Sequence, residues 1–387
     1  MPRRLFFLVA LTACGPGPEQ QPPPVFVGAD LSDAPLAGLD ETQQRTFARG
    51  DELFDLSLRD ADGLGPLYTH AACGQCHTAA ARGPGMVQKF GVVMADGHTP
   101  NPDQSRLPYG HTERPLTTAG ATTPLLAPRY DPDVRISFRV GPPVMGRGYL
   151  EAVADQTLLD LEATQAARQD GVHGRANRLG AGALGRFGLK ARLATLDETT
   201  ADAFLSDMGI TNPMFPTEPA NPDGLTDDLK PGVDVGLESV TARADYVRML
   251  AIPRRALSPD GRAAFEKARC DACHVPSLRT RADFPLAPLA SVDAPVFTDL
   301  LLHDLGIGLA DGLGAGDGTA GPREWRTAPL IGLRFSKRYL HDSRAGTVSE
   351  AIEAHASEGS EANDSVARYR ALSDSERSLL ITFVEAL

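Results

Sequence analysis

The sequence predicts a mainly α, loop-rich protein built in two unequal halves. Three observations carry this. Apolar residues recur at helical spacing behind recognisable caps, whereas period-two runs are scarce, which argues against a sheet-based fold. The 38 glycines and 31 prolines exceed their usual combined share of ~12 % without reaching the disordered range, so much of the chain is ordered loop. A pair of Cys-x-x-Cys-His motifs, one in each half, is the only internal repeat. At 387 residues the chain is long enough for two or three domains. Its net charge of −12 carries no basic stripe. That excludes nucleic acid as a partner and suits a basic protein partner.

The N-terminus reads as an export signal. Arg3 and Arg4 precede a short apolar run, Leu5 to Ala13, too short for the ~20 residues that span a bilayer. Leu11-Thr12-Ala13-Cys14-Gly15 resembles a bacterial lipoprotein cleavage box, with Cys14 as the lipidated first residue of the mature chain. Residues 1–13 are then signal and residues 14–30 a lipidated Pro/Gly-rich tether. Acyl chains on Cys14 would hold the protein at the periplasmic face of a membrane, its only membrane attachment. Gly15 after the cysteine favours the outer membrane.

Asp40 caps a helix to Phe54, with Phe47, Leu53 and Phe54 as apolar positions. Cys73-Gly74-Gln75-Cys76-His77 follows. Residues 78–150 are rich in Gly, Pro and Thr, have no clean period, and read as loops. Asp155 caps a helix to about Arg168, and a second short helix covers about Thr199 to Asp207. Leu237, Val240, Ala244, Val247 and Leu250 share one face of a third, and Pro253 closes the first half. Ser258 as N-cap and Pro259 at the first helical position open the second half. That helix runs into Cys270-Asp271-Ala272-Cys273-His274. Thr347 and Glu350, and Ser373 and Glu376, form capping boxes. The last helix turns Leu379, Leu380, Phe383 and Leu387 inward.

Five cysteines are present; with Cys14 lipidated, the other four all belong to the two motifs. Cys-x-x-Cys-His is the c-type haem attachment pattern. Two thiols one turn apart reach the vinyl groups on one haem edge, and the adjacent histidine ligates iron. A redox dithiol does not require that histidine twice. A zinc site would have to unite ligands almost 200 residues apart. The cofactors expected are therefore two covalently bound haem c groups. Cys73, Cys76, Cys270 and Cys273 attach them, and His77 and His274 are the proximal ligands. The domains are a haem domain over 31–255, with long insertions, and a cytochrome c-like domain over 256–387.

With these motifs in place the chain resembles the di-haem oxidoreductases related to bacterial cytochrome c peroxidases and MauG, a group also labelled thiol oxidoreductase. The resemblance spans about residues 40–387. It rests on Gly63-Leu64-Gly65-Pro66-Leu67, Arg139-Val140-Gly141-Pro142-Pro143, Gly148-Tyr149-Leu150-Glu151-Ala152, Leu184-Gly185-Arg186-Phe187-Gly188 with Lys190, and Asp207-Met208-Gly209. In the second half it adds Phe297 to Asp304, Glu324-Trp325-Arg326-Thr327 and Tyr339-Leu340-His341-Asp342.

The resemblance implies a second haem that takes electrons from a small donor, such as a cytochrome c or cupredoxin, and feeds a first haem that reduces peroxide or another small oxidant. It places the distal ligand of the second haem on the helix after the Tyr-x-His motif, at His355. Val348, Ile352 and His355 fall on one face there. His303 and His341 are expected to bond propionates or hold loops, and Trp325 to sit beside the second haem. Glu151 resembles the distal acid of the peroxidase relatives. Gly141, Gly146 and Gly148 would let backbone approach the first haem. An open or weakly filled sixth position is expected there, among Met86, Met94, His98, His111 and Met145. The tryptophan that relatives place between their haems has no counterpart in the first half. Ser336-Lys337-Arg338 offers no acid for the relatives' calcium, and none is assigned. The alternatives are a non-catalytic electron-transfer lipoprotein with both haems six-coordinate, or a haem-dependent oxygenase or protein-oxidising enzyme.

Overall fold

The computed structural model describes residues 33–77, 85–118, 120–226, 232–313 and 318–387. The signal, Cys14 and the tether lie outside these residues. Ten helices occur among the described residues: α1 (Glu41–Asp55), α2 (Cys73–Cys76), α3 (Arg147–Ala152), α4 (Asp155–Ala167), α5 (Leu196–Met208), α6 (Leu237–Met249), α7 (Pro259–Lys267), α8 (Val348–Ala354), α9 (Asn363–Ala371) and α10 (Asp374–Glu385). No described helix is long and apolar enough to cross a membrane.

Local chemistry sets the ends of these helices. Asp40 closes a capping box with Gln43 at α1, and Ser373 does the same with Glu376 at α10; each such cap is worth about 1 kcal/mol. Thr195 and Glu198 form a further box, which starts α5 three residues earlier than its apolar pattern implies. At α4 the N-cap is Ala154, and Asp155 is the first helical residue. Its carboxylate is used instead by Arg186, at 2.5 Å.

Among the described residues, eight short strands form four antiparallel pairs: β1 (Leu67–Tyr68) with β3 (Leu116–Thr117), β2 (Met86–Val92) with β4 (Val134–Val140), β5 (Leu278–Arg279) with β6 (Asp293–Ala294), and β7 (Leu302–Asp304) with β8 (Glu324–Arg326). The β2–β4 ribbon corrects the reading of residues 78–150 as loops throughout. Met86 pairs with Val140 and Val92 with Val134. Phe90 and Val92 pack on Leu67, Leu125 and Val134 in a small core beside the first motif.

The largest apolar core draws on both halves. Tyr149, Leu150, Leu158, Tyr246 and Leu250 pack with Leu278, Leu289, Leu300 and Ile331. A second core joins α7, α8, α9 and α10 through Phe265, Val348, Tyr369, Leu380 and Phe383. Gly261 allows α7 and α10 to touch, because a Cβ there would lie 2.7 Å from both the Leu379 carbonyl and the Phe383 Cβ.

Candidate functional site

Each Cys-x-x-Cys-His motif opens onto a cavity. The second motif follows α7 directly. Cys270, Cys273 and His274 line a mainly apolar cavity of about 300 Å³, with Val348, Ile352 and His355 from α8 and its C-terminus also on the wall. His274 Nδ1 bonds the Phe297 carbonyl at 3.1 Å. His355 Nδ1 bonds the Ala351 carbonyl, one turn back, at 2.7 Å. Both rings are thereby oriented, and each keeps Nε2 for a metal. Burial, and then the His355 ring, push His274 down to about 4. Burial also lowers His355. Both are neutral near pH 7, the form that ligates iron.

His303 is fixed differently. Its Nε2 lies 2.9 Å from Asp299 Oδ2 and its Nδ1 lies 2.8 Å from Glu361 Oε2. Despite burial, the Asp299 carboxylate holds it protonated, well above the ordinary histidine value. Both nitrogens are committed, so His303 ties the Asp299 and Glu361 loops together and has no nitrogen left for a propionate. Gln165 of α4 joins the same network, donating to Asp299 Oδ2 at 2.8 Å. Asp299, His303 and Cys273 also form the only three-donor cluster of metal-binding type among the described residues. With both His303 nitrogens occupied, that cluster has no free imidazole.

His341 and Trp325 stack with ring centroids 3.7 Å apart and planes 16° apart, on the wall of the second cavity. The indole donates to the Leu309 carbonyl at 3.1 Å. Lys190 Nζ lies 4.1 Å and the Arg139 guanidinium 4.8 Å from the Trp325 ring centre, and both cations line the first cavity. Trp325 therefore stands between the two cavities, a position its sequence context did not reveal. Burial, and then Arg139, hold His341 down at about 2, so it stays neutral.

The first cavity, about 400 Å³, is lined by Cys76, His77, Lys89, His111, Arg139, Lys190, Arg192, Asp202 and Asp207, among others. It is far more ionic than the second. Gly85 permits a close approach here, whereas a side chain at Gly141 would meet only ordinary contacts. A Cβ on Gly85 would run into Cys76 Sγ, and one on Gly141 would sit 3.7 Å from His77 Cε1. Gly146 and Gly148, by contrast, accommodate Ile252 and the Arg248 carbonyl. Of the expected distal groups, His111 and Met86 reach this cavity. His111 Nδ1 lies 3.2 Å from the Phe90 carbonyl. Met145 is fully buried, with its sulfur packed on Gly332.

Asp207 enters from the C-terminus of α5. Gly209 caps that helix at φ 74°, and a Cβ there would strike the Gly65 carbonyl. The docked turn is held by Gly65 N–H to the Met208 carbonyl at 3.0 Å and Thr69 N–H to the Asp207 carbonyl at 2.6 Å. Burial raises Asp207 to about 6, against the opposing pull of Lys89.

Glu151 lies elsewhere. It lines a third cavity, about 650 Å³, with Asp197, Asp245 and Arg248. Arg248 grips all three carboxylates, Glu151 at 2.5 Å and Asp197 at 2.6 Å. The Leu196 N–H donates to Glu151 Oε1 at 2.8 Å. The α3 segment turns Glu151 towards α6 and the start of α5, where an ion cluster occupies it, and not towards the first motif. Sequence reasoning missed Asp207 as a site residue, although Asp207-Met208-Gly209 was among the stretches that carried the resemblance.

All four described cysteines are free of disulfides. Burial holds the Cys76 and Cys270 thiols up at about 11 and 12, unlike the thiolates a zinc site requires. Neither motif gathers its own two thiols and imidazole into one cluster. In the second cavity Cys270, Cys273 and two histidines held by carbonyls fit a haem; in the first, Cys76, His77 and Gly85 do.

The family model described as "Di-haem oxidoreductase, putative peroxidase" matches residues 116–387, beginning after the first motif. No curated protein matches the sequence. Among solved structures, the chain is similar to the di-haem peroxidase BthA of Burkholderia thailandensis (15 % identity, 96 % of this chain and 94 % of that chain, TM-score 0.40). It is similar also to hydrazine synthase of Kuenenia stuttgartiensis (14 %, 100 % of each chain, TM-score 0.39). A third is a MauG-like protein associated with microbial copper homeostasis (16 %, 61 % of this chain and 89 % of that chain, TM-score 0.34).

Proposed function

Because the chain belongs to the di-haem oxidoreductase family, we propose that it is an exported c-type peroxidase-like enzyme in which the second haem site transfers electrons and the first reduces peroxide. The observation that carries this reading is the contrast between the two cavities. His274 and His355 stand on one largely apolar wall system with Nδ1 of each held by a carbonyl. Together they would close the second iron from both sides and leave it to electron transfer. The first cavity instead gathers Lys89, Arg192, Asp202 and Asp207 around His77.

When bound, the haems would supply the electrons and the iron at which the peroxide O–O bond is cleaved. The chain's own contribution is a proton. Near pH 6 Asp207 is about half protonated, the condition under which one carboxyl both gives and regains a proton efficiently. It replaces Glu151 in this role. Trp325 and His341 hold the wall of the second cavity nearest Arg139 and Lys190 of the first. The thioether bonds at Cys73, Cys76, Cys270 and Cys273, the lipid at Cys14, an outer-membrane location and a small basic electron-donor protein belong to the same proposal.

His111 supports a second reading. Its Nδ1 is tied to a carbonyl as in His274 and His355. Ligation through Nε2 would close the first iron and leave an electron-transfer protein. Spectra of His355→Ala and His111→Ala decide. The enzyme reading expects His355→Ala to turn one low-spin haem high-spin and His111→Ala to leave peroxide reduction in place. A low-to-high-spin change in His111→Ala that first creates peroxide reactivity would overturn it.

A further inference from the structure

Among the described residues, Lys89 is the cation of the first cavity that has neither a hydrogen bond nor an ion pair. It lies on β2, where alternation sends Phe90 into the small core and leaves Val87, Lys89 and Gly91 on the cavity wall. The neighbouring cations are engaged. Arg139 pairs with Asp311 at 2.6 Å, and Arg192 pairs with Asp202. Lys190 donates to the Gly321 and Glu324 carbonyls at 2.8 Å each. No hydrogen bond or ion pair engages the Lys89 ammonium among the described residues. The charged groups near enough to act on it are Asp207, Arg192, Asp202 and Arg139, and it acts in turn on His111.

An ammonium on the wall of that cavity, without a hydrogen bond or ion pair among the described residues, is a preformed site for developing negative charge. We propose that Lys89 is a catalytic residue of peroxide reduction, stabilising the leaving oxygen while Asp207 protonates it. This rests on the peroxidase reading above. The O–O bond breaks, and the leaving oxygen takes the bonding pair and the Asp207 proton and departs as water. The other oxygen is reduced to water by two electrons from the donor and takes its proton from solvent. Peroxide is the oxidant, and the reduced donor protein is oxidised by two electrons.

Burial works against the charge on Lys89 and lowers its affinity for a proton, whereas Asp207 raises it. The coupling is mutual, since Lys89 holds Asp207 below the value that burial alone would set. Removing the ammonium therefore has two effects that a packing role would not produce: weaker binding of a small anion at the first haem, and a higher titration point for Asp207.

The test uses the holoprotein carrying two haems, as Lys89→Met and Lys89→Arg. Wild-type protein that holds two haems yet does not reduce peroxide would refute the peroxidase reading itself. With wild-type activity present, Lys89→Met is expected to lose about 10²-fold in peroxide turnover. It should bind fluoride at the first haem more weakly in an equilibrium spectral titration. The pH above which its turnover falls, where Asp207 loses its proton, should move upward. Lys89→Arg, which keeps the charge, should recover most of each. Unchanged fluoride affinity and an unmoved upper break of the pH–rate profile in Lys89→Met would overturn the assignment, whatever happens to turnover.

Discussion

Asp207→Asn should make the protein more stable and less active at the same time. Burial raises Asp207 from 3.8 to about 6, so the folded state binds its proton more tightly than the unfolded chain does. A group shifted in this sense costs nothing below the unfolded value and destabilises increasingly as pH rises through the folded one. Worked across that interval, the ionised carboxylate costs about 3 kcal/mol at pH 7 and about 0.5 kcal/mol at pH 4. Asparagine keeps the shape and removes the charge. Denaturant unfolding of the holoprotein at both pH values reads the difference: a stabilisation of up to about 3 kcal/mol at pH 7 that nearly vanishes at pH 4. Stopped-flow mixing of the same variant with peroxide and a reduced donor should show turnover lower by ~10²–10⁴. A variant equally stabilised at both pH values, or one that turns over peroxide at the wild-type rate, would refute the placement of a buried, proton-carrying Asp207.

Three further outcomes follow from the same geometry. Glu151→Gln should cost about 2 kcal/mol in denaturant unfolding by loosening the Arg248 cluster, and should slow peroxide turnover far less than Asp207→Asn; a loss as large would return the proton to Glu151. Cys270→Ala with Cys273→Ala should leave one haem per chain after denaturation and acid–acetone extraction, against two in the parent. Cys14→Ser should move the protein from the membrane fraction to the soluble periplasm, and sedimentation with membranes in high salt would contradict the lipid anchor.

Much of the helical framework was legible because its signals are local. Asp40, Ser258 and Ser373 each stand at an observed cap, and of the expected α6 stripe Val240, Ala244, Val247 and Leu250 are buried while Leu237, at its first turn, is exposed. The β2–β4 ribbon was missed although Val134, Ile136, Phe138 and Val140 alternate with Arg135, Ser137 and Arg139. Its partner, Met86 to Val92, has no such pattern, and the long connection between the two contains β3. The thiol and imidazole positions of the two motifs could be read because each set lies within five consecutive residues. Asp207 and Lys89 could not. A buried carboxylate and a lone ammonium become a site only when a strand and a helix end, far apart in sequence, are brought to one cavity. Glu151 failed for the converse reason: sequence shows the acid but not the arginine that occupies it, Arg248 of α6.

The claim that one iron is closed and the other works is tested most directly by the electronic spectrum and electron paramagnetic resonance of the oxidised and then half-reduced wild-type protein, before and after one equivalent of peroxide. The account predicts one low-spin haem with two histidine ligands that peroxide leaves untouched as a ligand set, and a first haem that binds cyanide and reacts with peroxide at once after half-reduction. Two low-spin haems, neither altered by cyanide or peroxide in the half-reduced protein, would contradict it.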